Sequence, residues 1–82
     1  MAGMSRPSLR QFISAAHAYG VRERIIEEQL PSGRLKYKFR YLERGKLSVV
    51  IPNIRESDRL TEAVFNYFLR GLQLGEFEDE LR

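Results

Sequence analysis

Lys36, Lys38 and Arg40 recur at every second residue, which on an extended strand sets three cations in a row about 7 Å apart. That spacing approximates successive phosphates and makes the row a candidate polyanion contact. Cross-strand pairing with Glu27 and Glu28 is the competing use, and it would leave little free positive potential. The interleaved Tyr37, Phe39 and Tyr41 could stack on bases, but their alternation with cations predicts that they face the core. His17 is the single histidine and so the one side chain whose unperturbed pKa suits proton transfer near neutral pH. It flanks a helical apolar stripe, which predicts a boundary packing residue and leaves it the sole catalytic candidate. Glu27 and Glu28 point to opposite faces of a strand and cannot act as an acid and base pair. Without Cys there is no thiolate metal site, cysteine nucleophile or disulfide framework, and one His excludes a multi-histidine site. No glycine loop suited to cradling phosphate is present. No metal and no cofactor are therefore expected.

A single domain of 82 residues must position these groups, with 43% hydrophobic and 30% charged residues, the balance of a globular chain. The formal net charge of +3 is unevenly spread. Residues 1–75 carry 13 basic and 7 acidic side chains, a net +6, whereas residues 76–82 carry 1 basic and 4 acidic, a net −3. A basic body with an acidic C-terminal tail suits a polyanion-binding face beside an end that folds back or repels phosphate. No apolar run reaches the ~20 residues needed to span a bilayer. Residues 1–7 read as a flexible N-terminus with no signal-peptide character, so a cytoplasmic protein with no membrane contact is expected.

Ser8 and Gln11 have the spacing of a capping box, and Leu9, Phe12, Ile13 and Ala16 form one helical stripe ended by Gly20. A helix over residues 9–19 follows. Val21 to Leu30 reads as a first strand, and Pro31-Ser32-Gly33 as a three-residue hairpin loop with a bulge. In the second strand Leu35, Tyr37, Phe39 and Tyr41 are expected on the apolar face and Lys36, Lys38 and Arg40 on the cationic one. A second three-residue loop, Glu43-Arg44-Gly45, would pair Tyr41 with Leu47, Phe39 with Val49 and Tyr37 with Ile51, keeping apolar residues together. Pro52 ends the third strand. The last helix is expected from Ser57 or Asp58 to Leu74, with Gly75 as its terminator. Its apolar surface is wide enough that either Phe77 and Leu81 fold back over it, or Phe65, Leu69 and Leu72 meet a partner chain. The expected class is α+β: helix, three-stranded antiparallel sheet, helix, with both helices on one face.

That element order, together with Val49-Val50-Ile51-Pro52, Phe68-Leu69-Arg70 and Leu74-Gly75-Glu76-Phe77-Glu78, resembles the HicA-type toxins over roughly residues 9–81. The resemblance implies a double-stranded-RNA-binding-domain-like fold, mRNA cleavage and neutralisation by an antitoxin protein. The chain departs where the family carries Gly-Ser-His, because Gly33-Arg34-Leu35 stands there without His. Catalysis is thus not carried over, since Arg cannot accept the proton of a 2′-hydroxyl. The fold implied by the resemblance contacts RNA through its first helix and first hairpin loop, which adds Arg6, Arg10 and Arg34 to Lys36, Lys38 and Arg40. Its lysine cluster before the second helix corresponds here to Ile54-Arg55-Glu56-Ser57-Asp58-Arg59, where two acids offset two arginines. The expectation is a non-catalytic domain that binds RNA or an antitoxin-like protein. The alternative is an interaction or homodimerisation module built on Phe65, Leu69 and Leu72, and an active ribonuclease toxin ranks below both.

Overall fold

The computed structural model describes residues 6–82, with Tyr37 by its backbone. Residues 1–5 of the N-terminal stretch, and the face and stacking expected of the Tyr37 side chain, lie outside the described residues. The fold is α+β, an antiparallel sheet with helices. Helix α1 spans Leu9–Ala16 and is closed at its start by the capping box: Gln11 N–H donates to Ser8 Oγ and Ser8 N–H to Gln11 Oε1. Leu9, Phe12 and Ala16 turn inward. A 3-10 turn, His17–Tyr19, leads to Gly20 at φ 89°, a left-handed position that favours glycine.

Strands β1 (Arg22–Gln29), β2 (Leu35–Arg44) and β3 (Leu47–Val50) follow in spatial order β1-β2-β3. The first turn forms around Pro31-Ser32-Gly33, with Leu30 N–H donating to Arg34 O and Gly33 at φ 88°. A register shift falls between Glu28 and Gln29. An isolated antiparallel bridge, Ser8 with Arg59, lies outside this sheet.

The second hairpin differs from the expected register. Tyr41 pairs with Val50, Leu42 with Val49 and Arg44 with Leu47, so the loop is Gly45-Lys46, two residues long. Gly45, at φ 59°, takes the first central turn position, where positive φ suits a two-residue hairpin. This register inverts the expected core face. Leu42 and Val49 are the buried partners, at 0% and 4% exposure, whereas Phe39 is 44% exposed. Leu42 shares its parity with Lys38, Arg40 and Arg44, so the row expected to face solvent runs into the buried core at one end.

Ser57 and Asp58, expected to begin the last helix, instead lie within a loop over residues 52–61 that is held to the N-terminal segment. Leu60 N–H donates to Pro7 O, Leu9 N–H to Asp58 O, and Arg55 N–H to the Asp58 carboxylate. With Asp58 committed to that turn, helix α2 starts later, at Glu62–Gly71, capped by Thr61 Oγ1 accepting from Val64 N–H. Its end also comes earlier than Gly75: Gln73 adopts φ 53° while Leu74 N–H reaches Leu69 O and Gln73 N–H reaches Arg70 O. That is the Schellman arrangement with Gln in place of Gly. Gly75–Phe77 then forms a 3-10 turn and Glu78–Leu81 a short helix, α3.

The tail folds back, with Leu74 and Leu81 at 0% and 2% exposure and Phe77 stacked on Tyr19 at 4.1 Å between centroids. Phe12 meets Phe65 edge-on at 5.9 Å and Phe68 at 5.1 Å. Each such buried side chain contributes about 1.5–3 kcal/mol through burial. Val49 Cγ1 occupies the space a side chain at Gly71 would need, so α2 lies directly on β3 at that glycine.

Candidate binding surface on the β1–β2 arm

β3 ends at Val50, while β2 continues back to Leu35. Beyond Tyr41 the sheet is therefore two strands wide, and the molecule measures 54 × 27 × 18 Å. Along β1 every residue is exposed except the half-buried Ile26. The two strands from Ile25 to Phe39 form an arm with two accessible faces.

One face carries Lys38 and Arg40 with their acids Glu27 and Glu23, whereas the register shift at Glu28 makes Lys36 the extra residue of β2 and takes it out of the expected row. Lys38 pairs with Glu27, directly opposite on β1, at 3.8 Å, and Lys36 with Glu28 at 3.2 Å. Arg40 Nε donates to Glu23 at 2.6 Å and Nη2 to Glu56 at 3.0 Å. Burial works against the Arg40 charge, but Glu23 and then Glu56 outweigh it and raise its pKa. Exposed pairs of this kind contribute only about 0–1 kcal/mol each. Their larger effect is on the field, since each of the three cations has a carboxylate beside it. Ile25, opposite Arg40, is 50% exposed on the same face.

The other face bears Ile26 and its direct partner Phe39, then Tyr41 and its partner Val50. The Phe39 and Tyr41 rings lie 6.4 Å apart, and Val50 is 40% exposed. The core role expected for Phe39 is thus corrected, because the hairpin register turns Leu42 inward instead. Arg24, opposite Tyr41, pairs with Glu43 at 3.3 Å. Leu30 and Leu35 add exposed apolar surface near the tip, at 42% and 50%. Where β3 departs, an open groove of about 520 Å³ is lined by Lys38, Phe39, Arg40 and residues 50–54.

The remaining predicted residues are dispersed. Arg34 is at the arm's tip, its N–H directed at Ser32 Oγ. Arg6 binds Leu60 O at 2.7 Å and Glu62 at 3.3 Å, fastening the N-terminal segment to the start of α2. Arg10 reaches Glu56 at 3.6 Å, and Glu56 also holds Arg40, so this carboxylate joins two of the six predicted cations. His17 is exposed at the start of the 3-10 turn, where its carbonyl accepts from Gly20 N–H and Arg22 Nη1. Among the described residues no three His, Asp or Glu side chains converge as metal ligands would. Phe65, Leu69 and Leu72 face inward, at 0%, 4% and 0% exposure, so within this chain they form core rather than surface.

Two arginines missed at the level of sequence organise the ends of the fold. Arg44 donates to Tyr19 O, Leu72 O and Gln73 O at 3.0, 3.0 and 2.8 Å, and its guanidinium lies 5.8 Å from the Phe77 ring. Arg82 pairs with Glu62 and Glu78 at 3.1 and 2.7 Å and covers the Phe65 ring at 4.7 Å. Its hydrogen bond lowers the Glu62 pKa, aided by its charge and by Arg6. The i, i+4 spacing of Glu78 and Arg82 was a readable signal; nothing local marks Arg44.

No helix among the described residues is long and apolar enough to cross a membrane. Comparison of the chain with protein-family models, curated proteins and solved structures finds no match.

Proposed function

We propose that the chain is a non-catalytic, HicA-like binding module, laid out as helix, three strands and helix with both helices on the Leu42–Val49 face. Its β1–β2 arm is the surface that an antitoxin-type protein covers. The carrying observation is the exposure of Ile25, Leu35 and Phe39, at 50%, 50% and 44%, on a ribbon two strands wide. A two-stranded ribbon is marginal in water without something packed on it, and apolar surface gathered on one projection suits a protein partner. Pairing of Lys38 and Arg40 with Glu27 and Glu23 also favours a protein over a polyanion on the face they share.

A photo-crosslinking residue at Leu35, compared with one at Ala63 on α2, tests this in growing cells. Protein adducts of defined mass at Leu35 alone are expected, and Ile25→Ser should diminish them. Adducts to RNA, or equal labelling at both positions, would overturn the reading.

Single-stranded RNA on the opposite face is the second reading, supported by the Phe39 and Tyr41 rings 6.4 Å apart on the central strand. Affinity should fall as salt rises and drop with Phe39→Ala. Undetectable binding at low salt, or affinity independent of salt, removes it.

A further inference from the structure

We infer that the partner engages the arm by adding an extended segment to the open edge of β2, in the line that β3 vacates, with alternating acidic and apolar side chains. This rests on the reading of the arm as a protein-binding surface and specifies how the partner is held. The ladder between β2 and β3 closes with Ile51 N–H donating to Arg40 O at 2.8 Å. Arg40 therefore directs its backbone polar groups toward β3, and by the two-residue period Lys38 directs its own to the same side. Beyond Ile51 no strand lies on that side of β2 among the described residues. Pro52 turns the chain away there, and the groove lined by Lys38, Phe39, Val50 and Ile54 opens at that point. An incoming segment would continue the β3 direction from this groove toward the arm's tip, antiparallel to β2.

Charge dictates what the segment carries. Arg40 has an acid on each flank, Glu23 from β1 and Glu56 from the loop on the open side. Lys38 has Glu27 on the β1 flank, and its open flank faces the groove. An acidic residue of the incoming segment beside Lys38 would repeat the arrangement seen at Arg40. The next residue falls on the opposite face, beside Phe39, where an apolar side chain would extend the Ile26 and Phe39 pair. A second copy of the chain joined twofold through its own β2 edge would set Lys38 and Arg40 against their own counterparts, and like charges across a ladder repel. The occupant is therefore a heterologous acidic and apolar segment rather than another β2.

The test uses the full chain and two short synthetic peptides, one alternating Glu with Val and one alternating Lys with Val, with a backbone N-methylated form of the first. Fluorescence anisotropy should show the Glu peptide binding at least ten-fold tighter than the Lys peptide and than its N-methylated form. Lys38→Glu should reverse the preference, and hydrogen exchange should slow at the Lys38 amide when the Glu peptide is bound. Equal binding of the Glu and Lys peptides, no detectable binding, or an unprotected Lys38 amide overturns edge addition. If the N-methylated peptide binds as well as its parent and Phe39→Ser abolishes both, the arm remains the binding surface and only edge addition falls. If no peptide binds and Leu35 crosslinks no protein, both fall.

Discussion

Gly71→Ala should destabilise the fold although alanine is the better helix former, and the structure sets the size of the effect. A Cβ at residue 71 would overlap Val49 Cγ1, yet it would lie at an ordinary 3.6 Å from Val49 Cβ. The conflict is with the γ carbon alone. Replacing Gly by Ala within a helix gains about 1 kcal/mol, while overpacking a closed core costs about 1–3 kcal/mol. Val49 is 4% exposed and leans on α2, so it has little room to withdraw and the upper half of that range applies. A net loss of about 1–2 kcal/mol is expected, read as a fall in Tm of roughly 4–16 °C for a domain of this size. Val49→Ala alone should cost about 2 kcal/mol through lost burial and the void it leaves. In the double variant the new methyl group enters that void, so the combined loss should be at least about 1 kcal/mol smaller than the sum. Urea titration of the four proteins completes the cycle. A stabilised Gly71→Ala single variant, or additive losses, would refute the close approach of α2 to β3.

Gln73 holds φ 53° at the end of α2, a conformation costing a non-glycine residue about 1 kcal/mol, so Gln73→Gly should raise the urea midpoint correspondingly. Arg44→Met should destabilise by about 2–4 kcal/mol, because three backbone carbonyls lose a charged donor together; near-neutral stability would mean that water replaces it. Glu62 has its folded pKa lowered by Arg82, so its contribution is complete above its ordinary value of about 4.3 and is lost as pH falls through the lowered one. The stability lost between about pH 6 and pH 3 should accordingly shrink in Glu62→Gln, and an unchanged acid limb would contradict the Arg82 contact.

The parts of the fold readable in advance were those decided within a few residues. The Ser8 and Gln11 capping box and the Pro31-Ser32-Gly33 turn are satisfied by neighbours, and both form where their chemistry places them. The second hairpin is not readable locally, because the choice between Glu43-Arg44-Gly45 and Gly45-Lys46 depends on which β2 parity enters the core. Leu42, the residue that decides it, lies just beyond the alternation of Leu35 to Tyr41. Ser57 and Asp58 are good caps in isolation, but Pro7 and Leu9 recruit residues 58–60 from far away in sequence. The cations were visible in the spacing of Lys36, Lys38 and Arg40, but the register shift that takes Lys36 out of the row was not. Their neutralisation was legible for Glu27 and Glu28, adjacent in the hairpin, but not for Glu56, which a distant loop delivers. Phe65, Leu69 and Leu72 could be read as apolar, while what covers them required α1 and the returning tail.

Glu62 accepts from Arg6 and from Arg82, so residues 6 and 82 meet at one carboxylate. Residues 6 and 82 can be joined there by a short linker and the chain opened elsewhere. Opened at the exposed Ser32, such a circular permutant would hold β3, α2, α3 and α1 in one continuous segment while β1 and β2 became its two free ends. The arm would then be held by its ladder alone, and the strength of that ladder could be measured apart from the body that carries it.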